Sequence, residues 1–316
     1  MSLALQSFEP LSVGIRRLLG EQLAGAVRQL LAQAAPAGEG SDPVEAIHEA
    51  RKNLKRSRTI LRLLRRALGR SQTMALNARL REVGLKLSPY RDQQMLQEAI
   101  ERLAKQTASS PFAEALSPVQ AALQARHPPA PLPEAIVQAI VPELRAIAAS
   151  LDQALLEQSE RRLRTSLRAG LRRMLRRGGR AFFLAYSEPS DENFHAWRKR
   201  VKDVFYAACL LHPTRPQRLA SWVDALDQLS EDLGDEHDLG ILAKVLHEQP
   251  IADVAATALT LQLIARRRAD LRATVRLGGD VLYEHSAKDT TRFLTRGLRR
   301  QKPTASPPRP PRLSRH

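Results

Sequence analysis

Apolar residues recur at intervals of three and four positions along most of this chain, which is the spacing of the buried face of an α-helix. In the segment VEAIHEARKNLKRSRTILRLL, which begins at Val44, the residues Leu54, Ile60, Leu61 and Leu64 share one side of a helical wheel. Helix-favouring Leu, Ala, Arg, Glu and Gln dominate the chain, and no stretch alternates apolar with polar residues long enough to form a strand. The pattern therefore predicts an all-α protein.

Breaks in the helical pattern divide the chain into two halves and a tail. Proline and glycine interrupt the pattern at 35–43, four prolines fall within 127–133, and a turn at 187–193 leads into a capped helix. From Gln301 to His316 the sequence is rich in Pro and Arg, which is typical of disorder. We therefore predict a helical domain at 9–300, with halves at about 9–126 and 134–300, and a disordered basic tail at 301–316.

The two halves contain matching segments in the same order. Each half has one His-x-x-Arg-Lys-x-x-Lys motif, beginning at His48 in the first half and at His195 in the second. The sequence GIRRLL near residue 14 matches GLRRML near residue 170, and the segment at 80–96 aligns with 226–242, which places Asp92 on Asp238. Three matches in one order predict an internal duplication, and about four helices in each half predict two helical bundles fused in one domain.

Both motif helices carry a row of cations opposite their apolar face. Around His48, a band about 120° wide on the helical wheel holds Arg51, Lys52, Lys55, Arg58 and Arg62. In the second copy, the side opposite Phe194 and Trp197 holds His195, Arg198, Lys199, Lys202 and Tyr206. A basic stripe is most often a solvated surface. Here few acidic residues are interleaved with the cations, and the arrangement occurs twice, so we favour an anion-binding role.

The charge of the whole chain supports an anionic partner. The chain has 50 Lys and Arg residues against 33 Asp and Glu, a formal net charge of +17. Such an excess attracts nucleic acid, acidic lipid or a polyphosphate-like chain. A third helix adds to this charge on one of its sides, which holds Arg161, Arg168, Arg172, Arg173, Arg176 and Arg180. Guanidinium groups so close together repel one another unless an anion lies between them.

The single cysteine and the lack of long apolar segments indicate in which cellular compartment the protein is expected. Cys209 has no cysteine with which to form an intramolecular disulfide, so nothing requires an oxidising environment. We find no signal peptide at the N-terminus, and the most apolar stretch, at 251–265, is shorter than the roughly 20 residues needed to cross a bilayer. The sequence therefore predicts a cytoplasmic protein without membrane insertion.

The two His-x-x-Arg-Lys-x-x-Lys helices, each followed by a Leu-rich segment that ends in Asp92 or Asp238, resemble the CHAD family of α-helical domains. The resemblance covers about residues 9–300. It implies two four-helix bundles related by a pseudo-twofold axis around a central basic cavity. It also implies non-enzymatic binding of inorganic polyphosphate and association with polyphosphate granules.

The resemblance also implies which residues bind polyphosphate. It places twelve of them along the cavity: Arg16, Arg17, His48, Arg51, Lys52, Lys55, Arg172, Arg173, His195, Arg198, Lys199 and Lys202. Helical-wheel positions add Arg58, Arg62, Arg176 and Tyr206. No catalytic residue, metal ligand or cofactor is expected.

Nucleic-acid binding is the main alternative, because the net charge and the basic tail suit it equally well. Aromatic residues make up only 4% of the chain, and Trp197 falls on an apolar helix face, which disfavours a base-stacking platform. We therefore expect nucleic acid to be at most a secondary partner.

A metal-dependent phosphohydrolase is a less favoured alternative. His237-Asp238 is similar to the metal-binding pair of the HD phosphohydrolases, but the matching pair Arg91-Asp92 cannot hold a metal in the same way. The chain has neither a Walker loop nor an H-E-x-x-H motif. A metal between His48 and His195 would be repelled by the neighbouring cations. We expect His237 to lie in a loop.

Overall fold

The computed structural model describes residues 3–6, 9–32, 43–107, 113–126 and 132–299. Within these ranges the chain forms eleven α-helices and no β-strand, which confirms the predicted all-α class. The helices are α1 (Leu11–Ala32), α2 (Pro43–Leu68), α3 (Arg70–Lys86), α4 (Pro89–Thr107), α5 (Ala113–Arg126), α6 (Glu134–Leu156), α7 (Glu160–Ser187), α8 (Asp191–Leu211), α9 (Pro216–Glu248), α10 (Val254–Tyr283) and α11 (Ala287–Leu294). The tail predicted to be disordered at 301–316 lies outside the described residues. None of the described helices has the length and apolarity needed to span a membrane.

Helices α1, α2, α3 and α6 form one bundle. Helix α1 packs between α2 and α6, and α3 packs against α2 and α6 on the opposite side. Fully buried Leu and Ile residues fill the space between them, including Leu18 of α1, Leu61 of α2 and Leu144 of α6. Helix α6 follows the proline-rich segment at 127–133, so this bundle includes a helix from the second half of the sequence.

Helices α7, α8, α9 and α10 form the second bundle, each packing against the next and α10 returning to α7. Aromatic rings hold α7, α8 and α10 together, because Phe182 lies 4.9 Å from Trp197 and 5.5 Å from Tyr283 between ring centroids. The hairpin of α4 and α5 comes from the first half of the sequence but packs on α9 and α10, where it encloses a separate apolar core. The pseudo-twofold relation between the bundles stays a prediction.

The two bundles are joined where α2 crosses α7. Gly170 lies so close to α2 that a Cβ atom on it would be 2.5 Å from the Cα atom of Leu63. One turn earlier, the Ser166 hydroxyl accepts hydrogen bonds of 3.0 Å from the backbone amides of Arg66 and Ala67. The same hydroxyl donates to the carbonyl oxygen of Leu63 at 3.1 Å. The junction therefore combines close backbone packing with a fully bonded buried hydroxyl.

Two local predictions about the second half have different outcomes. The predicted capped helix after the turn at 187–193 is confirmed, because α8 begins after Ser190, whose side chain accepts a hydrogen bond of 3.1 Å from the amide of Asn193. The prediction that His237 lies in a loop is wrong. Helix α9 runs without interruption through Gly234 and His237, because Leu229, Leu233, Leu239 and Leu242 keep a helical apolar spacing that buries one face against the core.

We expect Gly170→Ala to destabilise the protein, because the added methyl group meets the backbone of Leu63 rather than a side chain that could move aside. Overpacking of this kind lowers the free energy of unfolding by about 1–3 kcal/mol. Urea unfolding followed by circular dichroism measures the change. The matched control is Gly20→Ala in α1, where an added Cβ meets no atom within 4 Å and helix propensity predicts a gain of up to about 1 kcal/mol. Equal stability of the two variants would contradict the packing argument.

Candidate anion-binding site

The cations of the two motif helices meet where α2 and α8 lie side by side. Lys55 of α2 is close enough to lower the pKa of His195 on α8, and Arg58 of α2 lowers that of Lys199. Arg81 of α3 also lowers the pKa of Lys199. We call this group the central patch and define it as Lys55, Arg58, Arg81, His195, Arg198, Lys199 and His237.

Two histidines form the innermost part of the central patch. The rings of His195 and His237 stack with centroids 4.0 Å apart and planes inclined by 19°. Burial, followed by the charge of Lys199, lowers the pKa of His195 from 6.5 to about 4. Burial, followed by the charge of Arg198, lowers the pKa of His237 to about 3. Both rings are therefore neutral at pH 7, and the buried Nδ1 atom of His195 has no hydrogen-bond partner among the described residues.

Arg198 is a partly buried cation whose buried Nε atom is left without a hydrogen-bond partner among the described residues. Its side chain lies along α9, 3.8 Å from the position that a Cβ atom of Gly234 would occupy, and its Nε atom has no hydrogen-bond partner in the described part of the chain. Burial lowers the pKa of Arg198, although the charge of Asp238 opposes this shift. A buried donor without an acceptor is unfavourable, so an anion that reaches Arg198 would gain a charge-assisted hydrogen bond.

The carboxylates nearest to Arg198 are bound by other arginines. Asp238 accepts a hydrogen bond of 3.1 Å from Arg102 of α4. Glu236 accepts hydrogen bonds of 2.8 Å from both Arg268 and Arg272 of α10. These pairs also hold α9 against α4 and α10, so the acidic groups of α9 serve to position helices as well as to moderate the positive potential.

Lysines Lys199 and Lys202 of α8 also have lowered pKa values. Burial lowers the pKa of Lys202 to about 8, and the charge of Arg198 adds to this effect. Burial and the charge of Arg200 lower the pKa of Lys199, with no carboxylate among the causes. Crowding of cations therefore raises the free energy of the charged site, and a bound polyanion would relieve this repulsion.

A buried carboxylate, Asp203, fixes the spacing of α2 and α8. It forms an ion pair with Arg62 of α2, lies 3.4 Å from Arg200, and accepts a hydrogen bond of 3.4 Å from the hydroxyl of Thr59. Arg62, which the sequence placed in the binding row, is therefore engaged by a carboxylate. The sequence did not reveal this role of Asp203, because a helical wheel of α8 does not show that the side of α8 carrying Asp203 faces α2.

Arg16 and Arg17 of α1 lie away from the central patch. Arg16 forms a two-pronged pair with Asp152 of α6, with N–O distances of 2.8 and 3.0 Å. Arg17 pairs with Glu9 and, at 3.0 Å, with Glu21. These carboxylates raise the pKa of both arginines. In this structure Arg16 and Arg17 therefore fasten the N-terminal helix through ion pairs, and their part in polyphosphate binding stays a prediction.

The first copy of the motif makes mostly internal contacts. Arg51 donates hydrogen bonds of 2.9 Å to the carbonyl oxygen of Gly84 and 2.7 Å to the hydroxyl of Ser88. Lys52 pairs with Glu49 at 2.9 Å. His48 is half-buried on the same helix and electrostatically lowers the pKa of Glu49. Of the first motif, only Lys55 therefore belongs to the central patch.

Tyr206 lies in the core rather than on a ligand-accessible face. Its side chain is buried, burial raises its pKa to about 12, and the guanidinium carbon of Arg56 lies 6.0 Å from the centroid of its ring. The wheel of α8 placed Tyr206 with the cations. Helix α9 covers that part of α8, since Asp227 of α9 is close enough to influence the pKa of Tyr206.

The predicted arginines of α7 lie beside the C-terminal part of α2. Arg173 donates a hydrogen bond of 2.8 Å to the carbonyl oxygen of Arg62, and Arg172 and Arg176 are exposed on the same helix. The pKa of Arg173 is lowered by burial, then by the charges of Arg65 and Arg177. This second group of cations is separate from the stacked histidines.

Arg51 and Arg198, the arginines of the two motifs, each lie against a glycine, and these contacts offer a second way to align the segments at 80–96 and 226–242. Arg51 lies against Gly84, and Arg198 lies against Gly234. Alignment of these two glycines pairs Leu87 with His237, whereas the sequence match pairs Leu87 with Leu233 and Arg91 with His237. His237 thus has no histidine counterpart in the first copy. The sequence match could not reveal this, because the break at Leu87–Ser88 between α3 and α4 is absent from α9.

Within the described ranges, no three His, Cys, Asp or Glu side chains are grouped so as to hold a metal ion. The stacked histidines are surrounded by Lys55, Arg198 and Lys199, which repel a cation. The arrangement is suited to holding an anion by several donors.

Comparisons with known proteins were made for sequence and for structure. A family model described as the CHAD domain matches residues 21–247. The crystal structure of the CHAD domain from the plant Ricinus communis superposes with a TM-score of 0.57, covering 88% of this chain and 94% of that chain at 24% sequence identity. A search of curated proteins found no match. The structural similarity shows a shared fold.

We expect His237→Leu, which introduces the residue type of Leu87, to reduce the acid sensitivity of folding. Both central histidines have native pKa values below 6.5, so the unfolded chain binds more protons and the free energy of unfolding falls as the pH drops from 6.5 to about 4. Removing His237 removes part of that loss. Urea unfolding at about pH 7 and about pH 5 measures it.

His285→Gln, a change at an exposed histidine between α10 and α11, is the control for the acid-sensitivity experiment. If His237→Leu loses as much stability as the wild type between the two pH values, the stacked pair does not titrate as described.

Proposed function

This chain belongs to the CHAD domain family, and we propose that it is a non-enzymatic protein that binds inorganic polyphosphate through the central patch. The observation that carries the proposal is a pair of buried nitrogen atoms, Nε of Arg198 and Nδ1 of His195, that have no hydrogen-bond partner among the described residues; Nε of Arg198 is a donor in every state, and Nδ1 of His195 is a donor when it carries the ring proton. They lie one helical turn apart on α8, next to the exposed ammonium group of Lys199.

A linear chain of phosphates matches the chemistry of these groups. Phosphate oxygens accept charge-assisted hydrogen bonds from Arg and attract Lys as a point charge. Each bound phosphate would also reduce the repulsion among Lys55, Arg58 and Lys199. Because polyphosphate has no bases or sugars, a site made of cations and two neutral imidazole rings would be sufficient to hold it.

Several contacts favour binding over hydrolysis. In the phosphohydrolase alternative, His237 and Asp238 would hold a metal. Here His237 stacks on His195, and Asp238 accepts a hydrogen bond from Arg102. Adjacent cations would repel a metal ion, so these residues are better suited to holding an anion than to metal-assisted catalysis.

Nucleic-acid binding remains the second candidate, because any flexible phosphate backbone can satisfy cations. The aromatic side chains argue against a single-stranded ligand. Trp197 and Phe194 are buried, and the indole of Trp197 lies 3.3 Å from the hydroxyl of Tyr283 in a hydrogen bond. They provide no exposed platform for stacking bases.

We further propose that polyphosphate binding brings the protein to polyphosphate granules in the cytoplasm. A binding site that recognises the polymer itself would suffice for this localisation. Fluorescent fusions in cells that form granules would test it, and a fusion that stays evenly distributed while the purified protein binds polyphosphate would reject granule targeting alone.

We expect Lys199→Gln combined with Arg81→Gln to weaken polyphosphate binding by at least about tenfold, because each contact between a cation and a phosphate contributes roughly 1.5–3 kcal/mol. Competition between long-chain polyphosphate and duplex DNA at about 0.15 M salt measures this, since the Debye length there is about 8 Å and diffuse attraction is screened. Wild-type protein should prefer polyphosphate, and its affinity should fall steeply as salt rises.

The matched control is Arg218→Gln with Lys244→Gln, which removes two positive charges from exposed positions of α9 outside the central patch. If both double variants lose the same affinity, binding depends on net charge alone. If DNA competes equally with polyphosphate, the protein is a general polyanion binder.

A further inference from the structure

The arginines of the two matching helices α1 and α7 have different electrostatic partners. In α1, carboxylates neutralise Arg16 and Arg17. In α7, the matching residues Arg172 and Arg173 form no ion pair with a carboxylate among the described residues. Burial lowers the pKa of Arg173, and the charges that add to this shift are those of two other cations, Arg65 and Arg177. The matching arginine pairs therefore differ: carboxylates offset the charges of the pair in α1, and no ion pair with a described carboxylate does so for the pair in α7.

A compact group of cations forms where α7 passes the C-terminal part of α2. Arg173 is fixed by its hydrogen bond to the carbonyl oxygen of Arg62, and the charges of Arg65 and Arg177 both act on it. Arg177 is exposed and Arg65 is half-buried, so solvent reaches the group. We call Arg65, Arg173 and Arg177 the junction patch, because it lies beside the crossing at Gly170 and Leu63.

The junction patch is held at a fixed distance from the central patch. Arg58 of the central patch and Arg65 lie on one face of α2, seven residues apart in the sequence, which corresponds to roughly 10 Å along the helix axis. Between them, Arg62 and Arg200 share the carboxylate of Asp203, which offsets part of the positive charge at the intervening position. The cations of α2 are thus divided into two separate groups on one rigid helix.

We propose that the junction patch is a second phosphate-binding site that holds a distant part of the same linear polyanion that occupies the central patch. This inference rests on the proposed polyphosphate binding and adds a length requirement to it. A ligand of a few phosphates occupies one patch at a time. A longer chain follows α2 and reaches both, so the second contact forms at a high effective concentration and increases affinity without a change in the protein.

The test compares tripolyphosphate with long-chain polyphosphate on the purified full chain, using Arg65→Gln with Arg177→Gln. Both are surface arginines, and Arg173 is left unchanged because its hydrogen bond to Arg62 joins α7 to α2. The double variant should bind the long chain at least about tenfold more weakly while its affinity for tripolyphosphate at the central patch changes by less than about threefold.

The matched control is Arg161→Gln with Arg162→Gln, which removes two exposed arginines near the beginning of the same helix. An equal loss of long-chain affinity in the control and the junction variant would overturn the second site, because net charge would then explain the loss. A uniform loss for both ligand lengths in the junction variant would also overturn it, because the length requirement would be absent.

Failure of the proposed function gives a different result. If wild-type protein binds neither tripolyphosphate nor long-chain polyphosphate, polyphosphate binding itself is rejected. If the junction variant weakens binding of duplex DNA but not of long-chain polyphosphate, the junction patch contacts nucleic acid and the second polyphosphate site is rejected while the central patch stands.

Discussion

The close approach of α2 and α7 determines how the rest of the molecule is arranged. Gly170 places the two backbones in contact at Leu63, and the hydroxyl of Ser166 forms hydrogen bonds with backbone groups of α2 across the crossing. Both bundles are fixed through this junction, because α2 belongs to one and α7 to the other. The same crossing brings the cations of α2 beside those of α7 and α8. A larger residue at position 170 would separate the helices and with them the two groups of cations.

The positive charges that meet across this junction are retained at an electrostatic penalty. The pKa of Arg58 is lowered to about 10 and that of Lys202 to about 8, in both instances first by burial and then by a neighbouring cation. Asp203 offsets part of the repulsion by pairing with Arg62, and it holds α2 against α8 at the same time. Carboxylates of α9 form ion pairs with Arg102, Arg268 and Arg272, and the charge of Asp238 also acts on Arg198 of the central patch. A site that holds exposed and partly buried cations close together is suited to a ligand with many negative charges.

The matching segments of the two halves make different contacts in the structure. In the first copy, Arg51 is bonded to Gly84 and Ser88, and Arg16 and Arg17 are bonded to carboxylates, so these arginines fasten helices to one another. In the second copy, Arg198 lies against Gly234 with a donor unbonded within the described chain, and His237 stands where the first copy has Leu87. The helix break between α3 and α4 accompanies this difference, because the uninterrupted α9 carries His237 and Asp238 alongside α8, where the first copy begins a new helix at Pro89.

The sequence by itself determined the all-α class, the capped start of α8, the cationic and apolar faces of the motif helices, and the family, because these depend on residue type and on a helical period of 3.6 residues. Only the tertiary structure decided which faces meet. In the tertiary structure α6 belongs to the first bundle, and the α4–α5 hairpin packs on the second. Tyr206 is buried, and Arg16, Arg17 and Arg62 form ion pairs with carboxylates. Arg81 and His237 join the central patch. A helical wheel gives the direction of a side chain relative to the axis of its helix. The group that this side chain contacts depends on how helices distant in the sequence pack together. The ion pair of Asp203 with Arg62 is an example, because Asp203 lies on α8 and Arg62 on α2. A helical wheel of either helix shows only one of the two residues and cannot predict their contact.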